Sequence, residues 1–120
     1  MITAVHAIVY APDADATRAF FRDNLGLRWV EGGDPGESWP IFALPPAELA
    51  IHPAERASHE LFLMCDDIET TVSELRAKGV AFESEGDVRE QGWGRLATIL
   101  VPGGGRLGLY EPRHAVAAGG

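Results

Sequence analysis

Few side chains in this sequence could do chemistry, and two of them stand in register. His6 and Glu60, an imidazole and a carboxylate, are both able to ligate a metal ion, and they lie 54 residues apart. The same spacing lays Val5-His6-Ala7-Ile8-Val9-Tyr10-Ala11-Pro12-Asp13 over His59-Glu60-Leu61-Phe62-Leu63-Met64-Cys65-Asp66-Asp67. It also sets Phe21 on Leu75 and Trp39 on Trp93, and Gly26 meets Gly79 with a slip of one. Nearer the ends, Leu49-Ala50-Ile51 matches Leu107-Gly108-Leu109 at an offset of 58, the extra residues fitting the longer turn Pro102-Gly103-Gly104-Gly105. A recurring offset marks an internal repeat. The chain therefore reads as two diverged copies of a unit of about 55 residues.

Other reactive residue types are sparse. Cys65 is the single cysteine, so no internal disulfide can form and a reducing compartment is expected. Its strand parity turns it toward the helix side, where a buried thiol is inert. His59 adjoins Glu60 on the opposite strand face and is not counted as a ligand. His114 lies in the tail, where solvation is expected. Gly103-Gly104-Gly105 lacks the lysine and following helix of a phosphate loop. No nucleotide or organic cofactor is expected. The formal net charge of −8 and the absence of a basic stripe argue against nucleic acid as a partner.

These residues need elements to hold them. Each copy opens with the alternation of a half-buried strand. In the second, Leu61, Leu63 and Cys65 share one face, and Glu60, Phe62 and Met64 the other. A helix follows, with Asp13 and Asp67 as N-caps. Ile68, Val72 and Leu75 form an apolar stripe on the second helix; Ala14, Phe21 and Leu25 form a weaker one on the first. Gly26 and Gly79 stand where a helix end favours a left-handed residue. Three strands are expected after each helix: Leu27–Glu31, Trp39–Leu44 and Glu48–His52, then Val80–Glu83, Arg95–Val101 and Arg106–Glu111. Turn residues Gly32-Gly33-Asp34-Pro35-Gly36, Pro45-Pro46 and Pro102 to Gly105 separate them.

The unit is βαβββ, twice, in an α+β chain expected to form one domain. Module 1 runs over about 1–53, a linker over 54–58, module 2 over about 59–112 and a loose tail over 113–120. Met1 to His6 shows no basic region followed by an apolar run, and no stretch is long enough to span a membrane, so a cytoplasmic location and no membrane partner are expected.

Several segments carry a resemblance: Val5 to Tyr10, Phe20-Phe21-Arg22-Asp23-Asn24-Leu25-Gly26-Leu27, Asp66-Asp67-Ile68-Glu69 through Arg76-Ala77-Lys78-Gly79, and Val101 to Pro112. Together they resemble the vicinal oxygen chelate superfamily, which includes glyoxalase I, bleomycin-resistance proteins and extradiol dioxygenases. The resemblance implies two half-barrels around a cleft, and in small members a homodimer that completes two such clefts. In metal-dependent members four cleft residues bind a divalent ion that acts as a Lewis acid. Carried over, these positions are His6 and Glu60 on the first strands. The fourth ligand, a carboxylate in such relatives, falls on Gly108, which has no side-chain donor. The remaining position is Ala50, or Glu48 or His52 if the register shifts by two, since such shifts keep the strand face.

The resemblance thus implies a small molecule in the cleft and leaves two functions open. One is a divalent-metal-dependent lyase or isomerase, or a dioxygenase, with a reduced ligand set holding Zn²⁺, Ni²⁺, Fe²⁺ or Mn²⁺. The alternative is a metal-free small-molecule (antibiotic) binding protein of the bleomycin-resistance type. Tyr10, Trp39, Phe62, Met64, Trp93 and Tyr110 are the candidate ligand-binding residues, an aromatic lining suited to a flat or apolar molecule. No catalytic residue is assigned.

Overall fold

The computed structural model describes residues 6–33 and 39–116. Asp13 begins α1 (Ala14–Ala19), its carboxylate accepting the Ala16 N–H at 3.1 Å. The helix runs into a π-helical turn, Phe20–Asn24, where the Leu25 N–H donates to the Phe20 carbonyl. Gly26 then takes the left-handed conformation, at φ +68°, that ends a helix. Strands β1 (Trp29–Glu31) and β2 (Pro40–Phe42) pair antiparallel as a small sheet of their own.

The second half forms a five-stranded sheet. β3 (Phe62–Met64) leads to α2 (Ile68–Ala77), capped by Asp67, whose carboxylate accepts the Thr70 N–H at 3.2 Å. Glu111 adds a second cap by accepting the Ile68 N–H. Gly79, at φ +86°, follows the helix. Then come β4 (Ala81–Phe82), β5 (Arg89–Gln91), β6 (Gly94–Leu100) and β7 (Arg106–Pro112). The order is β3-β7-β6-β4, with β5 also on β6; β3 runs parallel to β7 and the other pairs are antiparallel.

Strand parity decides which face meets the helices. Ala97, Ile99, Leu107 and Leu109 point to one side and are buried with Ile68, Val72 and Leu75 of α2 and with Phe20 and Phe21. The expected stripe on α2 is therefore the observed one. The first helix buries Phe20 and Thr17 beside the expected Phe21. Cys65, partly buried just after β3, packs against this core on the side its parity requires.

Besides the shared core, hydrogen bonds at two places tie the halves together. Asn24 Nδ2 donates to the Lys78 carbonyl at 3.2 Å and Lys78 Nζ to the Asn24 carbonyl at 3.5 Å. These positions are 54 apart, so matched points of the repeat grip each other reciprocally. The glycine turn before β7 docks on the start of α1: Asp13 N–H donates to the Gly103 carbonyl at 2.9 Å, and Thr17 Oγ1 to the Pro102 carbonyl at 2.8 Å. Gly103 sits at φ +80°, and a Cβ there would fall 2.3 Å from the Asp13 carbonyl oxygen, so glycine is required twice over.

The structure corrects several expected elements. Residues 6–10 and Glu48–His52 form no regular strand. The alternation of Ile8, Val9 and Tyr10, and of Leu49 and Ile51, is left without a sheet to bury it, and these side chains are exposed. Val80–Glu83 shortens to Ala81–Phe82, because Ser84 and Glu85 turn left-handed at φ 52° and 54°. β5 was not expected: Arg89-Glu90-Gln91 has no apolar alternation, but Glu90 pairs with Arg95 at 3.0 Å across the ladder. Trp39 and Trp93 stand just before β2 and β6, not within strands. Val5 and the turn residues Asp34-Pro35-Gly36 lie outside the described residues. Among the described residues, no helix is long and apolar enough to cross a membrane.

Candidate functional site

The face of the larger sheet turned away from the helices carries the candidate site. β3 and β7 run side by side in parallel, with Phe62 opposite Gly108 and Met64 opposite Tyr110. Alternation sends these four to one face, opposite to Leu107 and Leu109. Gly108 leaves the space directly beside Phe62 empty of side chain, and the Phe62 ring fills it. A Cβ at Gly108 would come within 2.2 Å of one ring carbon of Phe62 and 2.4 Å of another.

The ring does not lie there alone. Phe62 meets Tyr110 edge to face at 5.8 Å between centroids, and Trp93 at 6.3 Å; Trp93 meets Tyr110 at 5.1 Å. The three rings form a continuous aromatic wall, partly open to solvent. Trp93 reaches it from the tight turn between β5 and β6. Its carbonyl accepts the Arg113 N–H at 2.9 Å, and the Arg113 guanidinium pairs with Glu90 at 2.8 Å.

Those two bonds turn the start of the tail back toward the wall, where His114, exposed as expected of the tail, stands at its edge. The His114 ring lies 5.9 Å from the Tyr110 ring, and its Nε2 is 3.3 Å from the Tyr110 hydroxyl. Nδ1 is 2.8 Å from the Ala115 carbonyl oxygen. Glu48 Oε1 lies 3.9 Å from Nε2, bringing a carboxylate from the first half of the chain to the edge of the wall. Burial, and then the negative charge of Glu48, push the Tyr110 phenol above its ordinary range. Burial likewise pushes the Cys65 thiol up.

Of the sequence-derived candidates, Phe62, Trp93 and Tyr110 therefore meet, with Met64 on the same face. Trp39 is elsewhere engaged, with the Arg18 guanidinium 4.8 Å above its ring. Tyr10 is 89% exposed and does not join the wall. His6, His52 and Glu60 are all exposed, and Glu48 is drawn to His114. Among the described residues, no three His, Cys, Asp or Glu side chains gather closely enough to hold a metal ion. The donor set therefore does not fit the four-ligand centre: Gly108 supplies no donor, and a phenylalanine ring lies over it. Glu60 is two residues ahead of Phe62 but beyond the end of β3, so strand geometry does not aim it at the wall.

His114 is exposed as expected, but sequence reasoning did not bring it to the wall. No local pattern signals it, because its position depends on the Trp93–Arg113 backbone bond and on a glutamate 66 residues away. A cavity of about 480 Å³ lies on the opposite, helix-bearing side, between α2 and the Ser84–Gly86 turn, lined by Glu69, Ser73, Arg76, Asp87 and Arg95 among others. It shares no residue with the wall.

Residues 3–113 match the family model described as the Glyoxalase/Bleomycin resistance protein/Dioxygenase superfamily. A search of curated proteins finds no match. Among solved structures, one similar chain is a member of that superfamily from Sphaerobacter thermophilus DSM 20745, with 22% identity, 92% of this chain and 98% of that one covered, and a TM-score of 0.65. Another is TnmS3, an antibiotic binding protein from Streptomyces sp. CB03234, with 21% identity, 90% and 99% covered, and a TM-score of 0.60. A third is a lactoylglutathione lyase from Agrobacterium tumefaciens, with 21% identity, 92% and 94% covered, and a TM-score of 0.61. At these identities the likeness is one of fold.

Proposed function

The chain belongs to the glyoxalase, bleomycin-resistance and dioxygenase superfamily, and from that premise we propose that it is a metal-independent binding protein for a small flat molecule, which lies against the Phe62, Trp93 and Tyr110 wall. One observation carries the reading: the Phe62 ring fills the space a Cβ of residue 108 would occupy, at the position that the resemblance matches to a carboxylate ligand. Three rings in mutual edge contact offer apolar area and oriented faces for stacking. They offer no donor for a divalent ion.

The wall is one side of a cleft, and a homodimer supplies the other in this reading. Ile8, Tyr10, Leu49 and Ile51 are each more than half exposed, with Leu49 at 86% and Ile51 at 87%. Apolar strand-forming segments left this open are covered by a second copy that offers sheet edges. Light scattering at micromolar concentration then gives a dimer mass.

The test of the main reading is metal content and ligand affinity on one preparation. Untagged protein is dialysed against Zn²⁺, Ni²⁺, Fe²⁺ or Mn²⁺ and analysed by mass spectrometry, then titrated with planar aromatic compounds with and without chelator. The expected result is far less than one ion per chain, and affinities that chelator leaves unchanged. Near one ion per chain, lost in His6→Ala and Glu60→Ala, would overturn the proposal in favour of a metal centre.

A further inference from the structure

Resting on that binding reading, we infer that His114 sets the polarity of the wall, so that its ligand is a planar aromatic molecule bearing a hydrogen-bond donor, a ring hydroxyl or amine, rather than one bearing only acceptors. The inference begins at Nδ1 of His114. A carbonyl oxygen can only accept, and the Ala115 carbonyl lies 2.8 Å from Nδ1, so Nδ1 carries a proton. In the neutral imidazole Nε2 is then the acceptor. The group facing it at 3.3 Å is the Tyr110 hydroxyl, which therefore donates to it.

A phenol has one proton to give. With that proton committed to His114, the Tyr110 oxygen faces the wall with lone pairs only. The other polar group at this edge is the Glu48 carboxylate, 3.9 Å from Nε2, which accepts and carries negative charge. Phe62 and Trp93 complete the surface with ring faces, which favour the positive edge of a polarised N–H or O–H over a lone pair; the Trp93 indole N–H is itself a donor, so the preference belongs to the edge formed by Tyr110 and Glu48. A ligand acceptor placed here would face oxygen lone pairs without a proton between them. A ligand donor would be satisfied, and a buried polar group left unpaired costs more than a satisfied one gains. His114 acts through Tyr110 and is a positioning residue.

Two probes of matched size separate the cases: 2-naphthol, which can donate, and 2-methoxynaphthalene, which can only accept. Both are titrated calorimetrically into the full-length protein at neutral pH. The expected result is about tenfold tighter binding of 2-naphthol, the scale of one well-made hydrogen bond. In His114→Leu the Tyr110 hydroxyl is released to donate to a ligand, and the preference falls to within about twofold. In His114→Gln the amide oxygen can accept from Tyr110 again, and the preference returns. Circular dichroism and thermal melting on each variant keep loss of fold apart from loss of preference. Equal binding of the two probes to the unmodified protein, or a preference that survives His114→Leu in folded protein, would overturn the inference while leaving the binding reading standing. Failure of both probes to bind at millimolar concentration would overturn both.

Discussion

The substitution that most directly interrogates the wall is Gly108→Ala. In an ordinary strand interior, alanine is the better residue by roughly 0.5–1 kcal/mol, because glycine loses more backbone freedom on folding. Here the added methyl would sit 2.2 Å from one Phe62 ring carbon and 2.4 Å from the next. Carbon atoms rest at about 3.5–4.0 Å, so the ring must retreat by more than an ångström. Phe62 is 38% exposed, which gives it somewhere to go, but retreat breaks its edge contacts with Trp93 and Tyr110. Two such contacts are worth roughly 0.5–1.5 kcal/mol each beyond area burial. The net effect of Gly108→Ala is then a loss of about 0.5–2 kcal/mol, opposite in sign to the backbone effect. In a Phe62→Ala background the obstacle is gone, and Gly108→Ala becomes neutral or stabilising by up to about 1 kcal/mol. Urea denaturation of the four proteins of this cycle, at one fixed protein concentration because assembly also contributes to stability, measures both values. A stabilising Gly108→Ala in the unmodified protein would refute the claim that the ring fills the glycine's place, and with it the structural ground for a metal-independent site.

Three further outcomes follow from the same geometry. Tyr110 ionises above the ordinary tyrosine range because burial, then Glu48, disfavours the phenolate; phenolate absorbance in a Tyr10→Phe background shows this. The stabilising contribution of the neutral phenol is complete below the unfolded tyrosine value, near pH 10, and is lost as pH rises through the higher folded value, while Glu48→Gln moves the absorbance midpoint part of the way back. Gly103→Ala forces a side chain into a left-handed position and against the Asp13 carbonyl, so it lowers stability by about 1–3 kcal/mol in denaturant titration, where a residue needed only for turn flexibility would be neutral. Cys65, with its thiol pushed up by burial, reacts with a disulfide reagent at pH 8 far more slowly in the folded protein than in urea; equal rates would contradict its burial against the core.

How much of this was legible depended on whether the information is local. Asp13 and Asp67 were readable as caps, and Gly26 and Gly79 as helix ends, because those roles are decided within one turn of chain. The stripe Ile68, Val72 and Leu75 was readable for the same reason. Alternation correctly turned Phe62, Met64 and Tyr110 to one face, because parity within a strand needs no knowledge of its neighbours. Alternation could not say whether a strand finds a partner. Residues 6–10 and Glu48–His52 have the pattern of strands without the ladder, and the donors His6 and His52 go with them to the surface. β5 is the converse case: it has no pattern and yet pairs, through charges whose partners lie on β6 and in the tail.

Gly108 shows why the reading of a site cannot stop at a roll of donors. In the sequence it is a gap: the position that the resemblance matches to a carboxylate ligand holds no side chain. In the structure the gap is the feature that makes the wall, because only a residue without a Cβ lets the Phe62 ring lie across β7 and meet Tyr110 and Trp93. An aspartate or glutamate at 108 would place its Cβ in the volume the ring occupies, so a ligand there and an aromatic wall of this geometry exclude one another. The size of one side chain on β7, set against its neighbour across the ladder on β3, decides whether the stacked ring can lie at this point of the sheet.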